Sequence, residues 1–220
     1  MEQHVIACSR REMLWGLVHG APVLGGLAMA PGAGDAQPDL TVYRVTVPVP
    51  GMDRRLDGLR IGLLADTHIG LVLGLDHLAR AVSALASQQP DILAVAGDLV
   101  DDPKLTRACL DVIGRVQAPL GRFFVLGNHE CSAGREEIVQ EARSHAGVRL
   151  LVDEDATVQV DGARVRVVGL DYPPDLFPHG TSGHGFLQLR RQVDRVVGRA
   201  TDGDLRICLA HHPDCFDSVR

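Results

Sequence analysis

Apolar positions in this chain fall into short continuous runs, separated by stretches in which they recur every three or four residues. Leu59 to Ala65 (LRIGLLA), Ile92 to Ala96 (ILAVA), Phe123 to Leu126 (FFVL) and Leu205 to Ala210 (LRICLA) are the runs. Near-continuous apolar runs of that length predict strands buried on both faces. Leu75, Leu78, Ala79, Val82, Leu85 and Ala86 sit at helical spacing, predicting a helix that reaches Gln88 and is stopped by Pro90. Leu105 to Val116, Glu136 to Ser144 and Phe186 to Val197 are predicted helices as well. Thr41 to Val47 (TVYRVTV) alternates as a half-buried strand does. Ala156–Val160 and Arg164–Leu170 flank an Asp161-Gly162 turn, which predicts a hairpin. Pro173 to Gly185 is rich in Pro and Gly and predicts a loop. Strand-helix alternation followed by a hairpin predicts an α/β fold with mixed sheets.

The first 36 residues stand outside that pattern. SRREMLW (Ser9 to Trp15) sets a twin arginine, Arg10-Arg11, before a mildly apolar stretch from Leu17 to Ala30. That stretch is short for a bilayer span, which takes ~20 residues. It resembles a twin-arginine (Tat) export signal, an address read by a receptor, with cleavage expected after Ala36. The expected division is therefore a Tat-type signal peptide over 1–36 and one domain over 37–220, exported to the periplasm or the outer face of the membrane. No transmembrane span is expected in the mature chain.

Composition narrows the function classes. The 220 residues are 45% hydrophobic and 23% charged, the balance of an ordinary globular domain. A formal net charge of −6 and an aromatic content of 4% disfavour a nucleic-acid-binding surface. The cysteines Cys8, Cys109, Cys131, Cys208 and Cys215 show no CxxC pair; Cys8 is expected to leave with the signal, and the other four read as buried thiols. His77 is expected at the surface or as a cap, and His145 and His179 are expected to be solvated.

Each buried strand ends in residues that bind cations or move protons. Asp66 and His68 follow the first, Asp98 and Asp101 the second, Asn128 and His129 the third, and His211 the last. Asp66, Asp98 and Asn128 are about thirty residues apart, one strand-helix unit each, so they converge on one edge of a sheet. Carboxylate, carboxamide and imidazole ligands without thiolate suit Mn, Fe, Zn or Mg.

ADTHIG, AGDLVDD, LGNHE and LAHHPD, in this order, resemble the successive signatures of the calcineurin-like metallophosphoesterases, and most closely the bacterial Tat-exported phosphodiesterase subgroup. The resemblance runs from Leu59 to the C-terminus and includes GLDYPPD (Gly169 to Asp175). It implies a four-layer α/β sandwich of mixed β-sheets flanked by helices, and a site with two divalent metal ions. By position it implies Asp66 and His68 as ligands of one metal, Asp98 as the bridging ligand, and Asn128 and His211 as ligands of the other. His129 matches the general acid and Asp101 the carboxylate that orients it, while His212 is a neighbour. The implied activity is hydrolysis of phosphodiesters or phosphomonoesters, of lipid or nucleotide type, by a hydroxide bridging the metals. A degenerate, non-catalytic metal- or phosphate-binding domain is the alternative.

The family pattern also carries a Gly-His-x-His string beyond the position of His211, one ligand for each metal. None occurs here, and Gly183-His184-Gly185 lacks the second histidine. The expectation is a domain incomplete at its C-terminus, lacking the final strands of the second sheet and two ligands, with its activity in doubt.

Export gives the first test. Replacing Arg10 and Arg11 together by lysine is expected to leave the protein in the cytoplasm, as seen by cell fractionation. Export of the double variant at the wild-type level would remove the Tat assignment.

Overall fold

The computed structural model describes residues 40–71, 73–172, 183–198, 205–212 and 215, with only the backbone for 183–188. The export-type segment over 1–36 and most of the Pro-rich loop, with His179, lie outside the described residues. The elements in chain order are β1 (Ile61–Leu64), α1 (Leu75–Ala86), β2 (Ile92–Ala96), α2 (Thr106–Gly114), β3 (Gly121–Val125), α3 (Asn128–Ser144), β4 (Arg149–Leu150), β5 (Glu154–Val160), β6 (Ala163–Gly169), α4 (Gly183–Val197) and β7 (Leu205–Leu209).

Two sheets stack at the centre. The first has the order β1-β2-β3-β4 and is parallel throughout. The second has the order β5-β6-β7, with an antiparallel hairpin β5–β6 and a parallel pair β6–β7. Alternation along the strands assigns the layers. Leu93, Val95, Phe124 and Leu126 face one way and pack with Leu78, Leu110 and Ile138 of α1 to α3. Ile92, Ala94, Phe123 and Val125 face the other way, onto Ala163, Val165, Val167 and Leu209 of the second sheet. Beyond that sheet, Val168 and Leu170 meet Leu189, Val193 and Val196 of α4. The fold is thus helix, sheet, sheet, helix. Among the described residues the second sheet bears on β2 and β3 but not on β1, whose Ile61 and Leu63 stay 41% and 38% exposed. No helix among the described residues is long and apolar enough to cross a membrane.

Four expectations change. Thr41 to Val47 forms no strand, because it finds no ladder partner among the described residues, and Val45 and Val47 are exposed. Helix α3 starts at Asn128, eight residues before the expected Glu136, with a kink at Gly134 (φ 153°). His77 is buried, not exposed, since it shares the core-facing side of α1 with Ala81. Burial and the neighbouring Arg80 guanidinium, 3.2 Å from its Nδ1, hold its pKa below the ordinary value and keep it neutral. The His145 side chain is only 10% exposed and meets Asp111 at 3.1 Å, tying the end of α3 to α2.

The crossovers after β2 and β3 are clasped by one buried carboxylate, Glu130. Its oxygens accept from the backbone N–H of Gly127 (2.7 Å), Asp98 (2.9 Å), Leu99 (2.6 Å) and Val100 (3.0 Å). Burial holds its carboxyl above the usual carboxylate range, offset only in part by the N–H groups of Val100, Gly127 and Asp98. The approach is so close that a Cβ on Gly127 would stand 2.1 Å from Asp98 Oδ1. Glu130→Ala orphans these buried donors and is expected to remove at least about 3 kcal/mol of stability, measured by urea unfolding. Glu130→Gln keeps an acceptor oxygen and is expected to lose less. An unchanged midpoint in the alanine variant would show that the clasp does not hold the crossovers.

Candidate metal centre

The parallel order of β1, β2 and β3 brings their carboxyl ends to one edge, where the chain must turn sharply. Asp66, His68 and Asp98 take left-handed backbone conformations there, with φ of 55°, 46° and 50°. Asp and His tolerate this region better than most residues, but it still carries local strain, and such strain gathers at functional sites. Backbone hydrogen bonds lace the turns together, from Asp66 N–H to the Gly97 carbonyl (3.1 Å) and from His68 N–H to the Asp98 carbonyl (3.0 Å). Ile69 N–H reaches the Leu99 carbonyl and Asp101 N–H returns to that of Ile69, both at 3.0 Å.

All seven residues singled out in the sequence meet at this edge. Asp66, His68 and Asp98 hold one ligand atom each within 4.8 Å of one another. Asp98 Oδ1 accepts from His129 N–H at 2.8 Å. Asp98 Oδ2 lies 3.7 Å from His68 Nε2 and 3.4 Å from His211 Nε2. Asn128 Oδ1 is 3.1 Å from His211 Nε2. Ligands ~2.1 Å from a shared cation stand ~3–4 Å apart, so these separations suit the coordination of ions.

Both imidazoles facing Asp98 are held by their other nitrogen. His211 Nδ1 donates to the Ala96 carbonyl at 2.9 Å, and His68 Nδ1 meets Asp101 Oδ1 at 3.1 Å. Such bonds leave Nε2 for a cation and fix the ring plane. Around His211 Nε2 the neighbours are acceptors, Asn128 Oδ1 and Asp98 Oδ2. Burial would push this imidazole down, but the hydrogen bond and charge of Asp98 outweigh it and hold it up at about 9. Asp98 answers in kind. Burial raises its carboxyl, but His211 and the His129 N–H bring it below the ordinary value. Asp66 goes the other way: although the residue is exposed, desolvation raises its carboxyl above the ordinary value. A donor set of this kind fits a hard or borderline divalent cation.

His129 forms a second candidate group with His68 and Asp101, their ligand atoms within 4.8 Å of one another. Its Nδ1 meets Asp101 Oδ1 at 2.6 Å, and its side chain is 42% exposed while that of Asp101 is 3% exposed. The same Asp101 oxygen thus serves both His68 and His129, whose rings meet edge to face at 4.3 Å. Asp101, assigned from sequence to His129 alone, steadies both rings. Cys109, Cys131, Cys208 and Cys215 are free thiols. Burial pushes Cys109 and Cys208 up to about 12, so neither offers a thiolate.

Glu130 is the site-supporting residue missed in the sequence. Its sign was a Glu three residues after Gly127, the spacing at which a helix's first turn reaches back to the N-cap N–H.

Residues 59–214, which contain all seven of these positions, match the family model described as calcineurin-like phosphoesterase. A Danio rerio protein named transmembrane protein with metallophosphoesterase domain is 30% identical over 193 residues, 81% of this chain and 40% of that protein. An uncharacterized metallophosphoesterase of Campylobacter jejuni is 30% identical over 141 residues, 61% of this chain and 37% of that protein. The uncharacterized metallophosphoesterase YkuE of Bacillus subtilis is 24% identical over 214 residues, 94% of this chain and 70% of that protein. The chain thus spans well under half the length of the first two of these relatives. With the family model covering every strand-end motif, the chain belongs to the calcineurin-like phosphoesterase family.

Proposed function

We propose that this protein hydrolyses phosphoester bonds at a dinuclear metal centre, with Asp66 and His68 holding one ion, Asn128 and His211 the other, and Asp98 shared between them. The observation that carries this is the position of one carboxylate oxygen. Asp98 Oδ2 is flanked by His68 Nε2 at 3.7 Å and His211 Nε2 at 3.4 Å, and both rings are anchored through Nδ1. When bound, two divalent ions supply a nucleophilic water that ionises near neutral pH and positive charge for the phosphoryl oxygens. The choice of Mn, Fe, Zn or Mg rests on the donor set alone.

The chain's own residues supply the rest. Asn128 contributes a neutral oxygen, which leaves the centre positive enough to accept a phosphate. His129 acts as an imidazolium that gives its Nε2 proton to the leaving oxygen, while Asp101 accepts from Nδ1–H and orients the ring. A binding domain without catalysis has no need of that dyad, which favours the enzyme over a degenerate relative. Export through residues 1–36 belongs to the same proposal and would set the substrate outside the cytoplasm, among lipid or nucleotide phosphoesters.

Asp98→Asn keeps an acceptor for the His129 N–H and suits the left-handed backbone, so it isolates the charge. It is expected to lose both metals, measured by elemental analysis after dialysis. Wild-type stoichiometry in this variant would take Asp98 out of the bridging role.

His129→Ala is expected to keep its metals and fold but lose ~10²–10⁴-fold in rate. The loss is expected to be largest for alkyl esters, whose leaving oxygen needs a proton, and smaller for nitrophenyl esters. Equal losses for both would argue against the acid role, and lost metal would make His129 a ligand.

A further inference from the structure

The second sheet contributes more to this edge than His211. In the parallel pair β6–β7, Gly169 stands opposite Leu209, and Leu170 N–H donates to the Leu209 carbonyl at 2.9 Å. The two strands therefore end together. β7 runs on into His211, and β6 runs on into Tyr172. Only two tyrosines occur in the whole chain, and this one stands against the metal centre. Its ring centroid is 6.0 Å from that of His211, at 66°, and 6.0 Å from that of His212, at 46°. Neither imidazole meets it face to face.

The backbone that carries this ring is tied from every side. Arg135 makes a two-pronged ion pair with the neighbouring Asp171, at 3.0 and 2.7 Å. Asp171 N–H donates to Asp153 Oδ1 at 3.1 Å, and Gln192 of α4 bonds the Asp171 carbonyl at 3.0 Å. Cys131 Sγ points at the Tyr172 carbonyl at 3.8 Å. Arg135 follows the kink at Gly134, where a Cβ would come within 2.8 Å of Pro103. Contacts from α3, the β4–β5 connection and α4 thus converge on two residues of a strand exit. Desolvation raises the Tyr172 phenol above its ordinary value, and the Cys131 and Asp98 charges act the same way.

We propose that Tyr172 is a wall of the substrate site that receives the organic group of the ester, selecting phosphoesters whose alcohol carries a flat aryl or heteroaryl ring. This rests on the phosphoesterase function proposed above and names its substrate class. A ring held rigidly beside the phosphoryl-binding ions gains edge or face contact with a planar group, at little entropic loss. Arg135 and Asp171 are positioning residues that hold it there.

Binding of two inert probes, phenylphosphonate and methylphosphonate, to the Mn-loaded protein tests this by calorimetry. Wild type is expected to bind the phenyl probe about tenfold more tightly than the methyl probe. Tyr172→Phe is expected to keep the preference. Tyr172→Ala is expected to lose it while holding its metals and its methylphosphonate affinity. Tyr172→Leu, which retains bulk without a ring, is expected to lose it too. The proposal is overturned if wild type shows no preference, if the Ala and Leu variants retain it, or if the Phe variant loses it. Those outcomes leave the phosphoesterase function standing, since the methyl probe still binds. A wild-type protein that takes up Mn and binds neither probe would overturn both together.

Discussion

The buried carboxylate of Glu130 is the contact on which the rest of the centre depends. A carboxylate shut away from water is tolerated only where hydrogen bonds replace its hydration. Here the replacements are the backbone N–H groups of Gly127, Asp98, Leu99 and Val100. They belong to two different crossovers of the parallel sheet, so satisfying one side chain sets both crossovers relative to each other. The left-handed turn at Asp98, φ 50°, is strained by roughly 1–3 kcal/mol and needs neighbours that over-determine it. Glu130 supplies them on one side and the β1 turn, through His68 N–H, on the other. The first sheet's candidate ligands are thus aimed mainly by backbone hydrogen bonds.

That division explains what could be read in advance. Asp66, Asp98 and Asn128 were legible because each ends an apolar run, and parallel strands bring such ends to one edge. The hairpin was legible from Asp161-Gly162, which takes φ of 49° and 84° at a turn between β5 and β6. Glu130 was legible only as a cap on Gly127, because its other partners, the N–H groups of Asp98, Leu99 and Val100, are main-chain groups of another crossover that leave no mark in side-chain pattern. The start of α3 was hidden for a related reason. Its first turn, Asn128-His129-Glu130, is polar for the sake of the site, so helical periodicity begins only after the kink at Gly134. His77 departs from expectation because its place on the α1 core face, one turn before Ala81, outweighs its polarity. In Thr41–Val47 the alternation was real, but a strand needs a ladder as well as a pattern.

The centre also joins two layers that pack independently of it. Asp66 and His68 come from β1, the strand the second sheet does not cover among the described residues, and backbone lacing within the first sheet holds them. His211 comes from the second sheet and reaches across to Ala96 and Asn128 of the first. It does so only because Gly97 has no side chain, since a Cβ there would lie 2.6 Å from His211 Nδ1. The two halves of the centre therefore answer to different forces. The Asp66–His68 half follows the turns of one sheet. The His211 half follows the inter-sheet core in which Phe123 and Val125 face Val165 and Val167. A cation coordinated by both halves stabilises the native stacking in proportion to its affinity, because the unfolded chain has no such site. Substitutions that loosen the inter-sheet core are expected to displace His211 before Asp66, without touching either residue.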